Sequence, residues 1–179
     1  MNTLPFYIFL FIHLISLTVG FGAVIVIDIF GLLWLTKRLP LKLVQSVAGV
    51  TQKLIWLGWG GLVISGIGLI TIKGYLDELT IIKIFFVFML GVNGVLLHFI
   101  KKRMDRFGDT EIMPRSVMFR MGFSTMLSQL GWWGALIIGF LHRHWRNEIS
   151  WPPHPFIVIG IMAVVMILVG VIGYTTTKD

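Results

Sequence analysis

Apolar residues fall into five long runs along the chain, at positions 4–35, 54–72, 79–100, 117–141 and 156–174, and the segments between them carry most of the Lys, Arg and Pro. Each run is long enough to cross a hydrocarbon core of about 30 Å as a helix. Inside that core every backbone N–H and C=O must be bonded within the protein, which a helix achieves segment by segment. The pattern therefore predicts an all-α integral membrane protein, a bundle of five transmembrane helices forming one domain over 1–179. The first run lacks the basic leader, short apolar stretch and small-residue cleavage site of a secretory signal and carries His13 and Asp28, so a permanent helix is expected there.

Composition agrees with the pattern: 56% of residues are hydrophobic and 13% charged, too few polar side chains to cover a water-soluble globule. The chain has no cysteine, which removes disulfides, zinc thiolates, iron–sulfur clusters and thiol nucleophiles together. Lys and Arg divide unevenly between the two ends of the helices. Lys37, Arg38, Lys42 and Lys53 follow the first run, and Lys101, Lys102, Arg103, Arg106, Arg115 and Arg120 surround the third connection. The opposite side has Lys73, Lys83, Arg143 and Arg146. The positive-inside rule then predicts an external N-terminus and a cytoplasmic C-terminus. The formal charge of +7 is thus a matter of topology and headgroup attraction, and a nucleic-acid partner is not expected. The segment 143–155, with Trp145, Trp151 and three prolines, suits an interfacial turn with aromatic anchors.

Chemistry is to be sought among ionisable side chains inside the runs, where Asp, Lys or Arg costs about 2.5–3.5 kcal/mol to insert. His13, Asp28, Lys83 and His98 qualify, and His142 closes the fourth run. His13 and Asp28 are fifteen residues apart, as are Lys83 and His98, which is about 22 Å along a helix and within about 60° of one face. Packing of the first helix on the third would gather His13, Lys83 and His142 toward one leaflet and Asp28 and His98, a proton-relay pair, toward the other. Near-terminal Lys83 and His142 could equally snorkel to the interface. Ser16, Gly20 and Ala23 follow His13 at helical spacing, Ser128, Gly131 and Ala135 lead toward His142, and the second run holds Gly58, Gly61, Ser65 and Gly68. Small residues on one face mark close helix contacts. Beside a deep histidine they also give the clearance that a porphyrin needs when imidazole ligates its iron.

The run from His13 through Gly20 to Ala23, followed by Ile82, Lys83 and Ile84 and an aliphatic stretch to Gly94, resembles the bacterial membrane protoporphyrinogen oxidases of the J type and the related copper-resistance D membrane domains. The resemblance covers the first four helices and implies a heme-b-associated bundle, His13 as the functional histidine of helix 1 and Lys83 as the lysine of helix 3. Where the oxidases commonly carry a histidine eleven residues after that lysine, this chain has Gly94, and His98 stands one turn later; the fifth helix has no counterpart.

The leading expectation is a heme-b membrane protein of electron transfer or porphyrin redox chemistry, located in the bacterial inner membrane. His13 would be an axial ligand, Lys83 or His142 the second ligand, and Lys83 and Arg143 the cationic partners of the propionates. Quinone or a porphyrin would be its partner, in a homo-oligomer or a larger membrane complex. Two other readings use the same residues. A cofactor-free proton-coupled transporter would relay protons through Asp28 and His98, with a copper-handling variant on His98, Met104, Met113, Met118 and Met121. A structural subunit would offer its small-residue stripes to partner helices. Trp132 and Trp133 are expected as packing, and Gln129 as an interhelical hydrogen bonder.

Overall fold

The computed structural model describes residues 3–107, 113–144 and 154–177. Among these the chain forms five α-helices and no strand: α1 (Leu4–Leu35), α2 (Leu41–Lys73), α3 (Glu78–Met104), α4 (Arg115–His144) and α5 (Pro155–Thr176). All five are long and apolar enough to cross a membrane, as the hydropathy pattern predicts.

The largest departure from the expected boundaries is α2, which starts at Leu41 rather than near Leu54. Residues 41–53 include Lys42, Gln45, Gln52 and Lys53 and are too polar for hydrocarbon, yet nothing in them interrupts helical hydrogen bonding. At 1.5 Å per residue the 33 residues of α2 reach about 50 Å, well beyond the hydrocarbon core. Lys42 and Lys53 accordingly stand on a helix, and the connection from α1 shrinks to residues 36–40.

Backbone signals set the ends. Lys37 takes a left-handed conformation (φ 58°) and lets the Arg38 N–H return to the Leu33 carbonyl at 2.8 Å, closing α1. Gly74, also left-handed (φ 78°), does the same for α2 through its N–H bond to Ile70. Asp77 then opens α3, its Oδ1 accepting the Thr80 N–H at 2.8 Å.

The chain divides into two compact units. Met1–Tyr75 with Lys101–Glu111 form the first, whose centre is the antiparallel pair α1 and α2. These helices touch backbone to backbone. A Cβ on Gly58 would lie 2.5 Å from the Gly20 Cα and 2.7 Å from the Ser16 carbonyl oxygen, and one on Gly61 would overlap the Ser16 hydroxyl. Further along, Gly68 receives the Phe9 ring. The stripe Ser16, Gly20 and Ala23 is buried, and at Ser16 and Gly20 the neighbour that fills it is α2. At the far end of α2 the Gln45 amide donates to the Met104 carbonyl at 2.9 Å and so satisfies a terminal carbonyl of α3.

Leu76–Ile100 and Ile112–Asp179 form the second unit. Ile82, Phe86 and Met89 of α3 pack with Leu127 and Ala135 of α4, and α5 adds Ile159, Met162 and Met166 to this cluster. Gly131 and Gly134 make room on α4 for Leu90 and Phe86: a Cβ at either glycine would lie 2.6 Å from the facing side chain. On α5, Gly170 and Gly173 accept the stacked rings of Phe123 and Phe119. The remaining face of α5 is apolar and exposed, as suits a helix in lipid.

The α1–α2 contact has a direct test. Gly58→Ala should cost about 1–3 kcal/mol, the range for overpacked interiors, because the clash is with backbone that cannot rotate away. A Cβ at the neighbouring Gly60 meets nothing within 4 Å, so Gly60→Ala should be neutral or stabilising by about 0.5–1 kcal/mol. Reversible unfolding in mixed micelles compares the two.

Candidate functional site

The close crossing of α1 and α2 determines where His13 points. One helical turn before Ser16 on the same face of α1, the imidazole is brought beside Ser65 and Gly66 of α2, where a Cβ on Gly66 would be 3.8 Å from its Cε1. His13 lies nine residues inside the start of α1 and Ser65 eight before the end of α2. Each is thus about 12–14 Å along its helix from the same side.

Three groups form a hydrogen-bonded chain here. Ser65 Oγ lies 2.5 Å from the Gly61 carbonyl oxygen and 2.9 Å from His13 Nδ1. A hydroxyl has one proton to donate, and the carbonyl can only accept. The Ser65 proton therefore goes to Gly61, and Ser65 Oγ must accept from a protonated Nδ1. Ser65 is fully buried, so water does not compete for either bond. In the neutral imidazole this arrangement leaves Nε2 as the nitrogen with the lone pair, the tautomer that a metal-ligating histidine takes when its other nitrogen is held by a hydrogen bond.

The other expected residues are distributed as follows. Gly20 is at the helix crossing against Gly58, so its smallness serves helix contact on that face. Asp28 is half-buried, fifteen residues beyond His13 on α1 and in the first unit. Lys83 belongs to the second unit, where its Nζ lies 3.4 Å from the place a Cβ on Gly139 would occupy, an ordinary van der Waals distance. His98, in the second unit, is exposed and edge-on to Phe99. His142 and Arg143 fall in the last turn of α4, but their side chains lie outside the described residues, as do Trp145, Arg146 and Trp151. Of the methionines considered for copper, Met104 belongs to the first unit and Met113, Met118 and Met121 to the second. Met118 is 44% exposed, whereas Met104 and Met113 are buried. No group of three His, Asp or Glu side chains able to hold a metal ion occurs among the described residues. Trp132 is 1% exposed and occupies the interior, consistent with packing, whereas Trp133 is 47% exposed.

Two residues gain importance only from the fold. Ser65 reads in the sequence as one more small residue of the α2 stripe, and its role as hydrogen-bond acceptor for His13 depends on the antiparallel register. Asn93 carries no signal beyond being an amide in an apolar run, yet it is 2% exposed and donates to the Ser124 carbonyl of α4 at 2.8 Å.

No family model, curated protein or solved structure matches the chain.

The tautomer is open to measurement. Nitrogen-15 NMR of the histidine rings at neutral pH or above should show His13 protonated at Nδ1 and unprotonated at Nε2. In Ser65→Ala that single form should give way to a mixture of tautomers.

Proposed function

We propose that the protein is a heme-b-binding integral membrane protein of electron transfer or porphyrin redox chemistry, with His13 Nε2 as an axial ligand. One observation carries this reading: His13 Nδ1 lies 2.9 Å from Ser65 Oγ, whose hydroxyl donates to the Gly61 carbonyl, an arrangement in which Nδ1 is the donating nitrogen. It selects the imidazole tautomer able to ligate iron and holds the ring against rotation. The resemblance of the His13 and Lys83 segments to the J-type oxidase and copper-resistance D proteins points the same way.

The residues present fit an axial ligand, but the Ser16 and Gly20 stripe is filled by α2. Bound heme would supply a one-electron couple. The chain's own part is to hold the His13 ring by Ser65 in a low-dielectric setting. Quinone or a porphyrin is the proposed redox partner. The proposed setting is the bacterial inner membrane with the N-terminus outside, which puts Lys37, Arg38 and the basic end of α3 on the cytoplasmic side as the positive-inside rule requires.

Absorption spectra of the detergent-purified protein, oxidised and then dithionite-reduced, together with a pyridine hemochrome assay, provide the test. Reducible b-type bands are expected in the wild type and should be lost in His13→Ala. Ser65→Ala should retain them with heme affinity weakened about 10–100-fold, the usual effect of removing the partner of a ligating imidazole. A colourless wild type that takes up no added heme would overturn the proposal, as would full heme occupancy in His13→Ala.

A further inference from the structure

The second unit contains a buried polar group that the heme reading does not use. Asn93 lies near the middle of α3 and is 2% exposed. Its Nδ2 donates to the Ser124 carbonyl oxygen at 2.8 Å. That bond orients the carboxamide, because turning it over would set two acceptors against each other. The oxygen so placed, Oδ1, is buried and has no hydrogen-bond partner in the structure. Buried polar atoms in folded proteins are almost always paired, and the hydrocarbon around a membrane helix offers no donor.

The Ser124 carbonyl that receives the Asn93 amide belongs to a stripe of small residues on α4. Ser124 and Ser128 stand one turn apart on one face and are 2% and 7% exposed. Gly131 continues that face, and there the space is filled by Leu90. On the serine side the side chains are only hydroxymethyl groups that turn about one bond. An acceptor oxygen asks for a donor, and the hydroxyls of Ser124, whose carbonyl holds the Asn93 amide, and of Ser128 one turn on are able both to donate and to accept. With Asn93, Ser124, Ser128 and Trp132 at most 7% exposed, nothing as large as a quinone ring or an acyl chain reaches Oδ1 from the lipid.

We infer that a single internal water molecule is bound at Asn93 Oδ1 in the seam between α3 and α4. It donates one hydrogen to Oδ1 and pairs with the hydroxyls of Ser124 and Ser128, the two to four polar partners that a buried water requires. The seam is thereby pinned by a hydrated contact deep in the span, in the unit that does not contain His13. The inference stands independently of heme binding.

Asparagine occurs at positions 2, 93 and 147, so Asn2→Gln with Asn147→Gln leaves Asn93 as the only one. This variant, labelled with carbon-13 and nitrogen-15 asparagine and reconstituted into bilayers of deuterated lipid, is read by water-edited solid-state NMR. Short-range transfer from water protons to Asn93 Cγ is expected. Adding Ser128→Leu, which replaces a hydroxyl by a bulkier apolar side chain, should reduce it several-fold. Absence of water transfer in the first protein overturns the proposal without reference to the second variant, and so does transfer that arises from a lipid-phase molecule instead of water. Undiminished transfer after Ser128→Leu overturns it as well.

Discussion

Hydrocarbon contains no water to stand in for a missing hydrogen-bond partner, and for five helices long and apolar enough to cross a membrane that is the governing constraint. It makes each apolar run a helix, since only a helix satisfies its backbone from within. It also makes every polar side chain in a span a question about its partner. Ser65 answers for His13, donating its own hydrogen bond to the Gly61 carbonyl and accepting one from Nδ1–H. Where a helix ends, side chains meet the same demand: Asp77 caps α3 at its start and Gln45 reaches the Met104 carbonyl at its finish.

Small residues do the packing that apolar bulk does in a soluble core. Lipid tails are as apolar as leucine, so association of helices relies on close contact more than on escape from solvent. In the first unit Ser16, Gly20, Gly58 and Gly61 bring two backbones together. In the second unit the device is different, with the large side chains Leu90 and Phe86 of α3 seated over Gly131 and Gly134 of α4. The first arrangement places a histidine against a serine, and the second sets Lys83 beside Gly139. Close helix contact at Ser16, Gly20, Gly58 and Gly61 is therefore what positions the His13 side chain.

The His13 arrangement has a chemical sense beyond stability. A serine that only satisfied an imidazole could do so in either tautomer. Because Ser65 is already donating to a backbone carbonyl, it accepts from one ring nitrogen and so selects the other as the lone-pair bearer. An imidazole held in that way is fixed in one orientation by its hydrogen bond.

The five helices, their order and their all-α character were legible in the sequence, because the length and apolarity of a span are local properties that lipid imposes on each segment separately. His13, Asp28, Lys83 and His98 were likewise legible as polar intruders in apolar runs. The true start of α2 at Leu41 was hidden, since hydropathy reports where hydrocarbon ends and not where helical hydrogen bonding ends. The small-residue stripe after His13 was ambiguous in the sequence between helix contact and cofactor clearance, and the antiparallel register of α1 and α2 decided it at Ser16 and Gly20. Ser65 as the partner of His13, 52 residues away, and Asn93 as the partner of the Ser124 carbonyl, 31 residues away, came only from the tertiary structure. A hydrogen bond between helices depends on their register to within about one residue, and hydropathy carries no information on that offset.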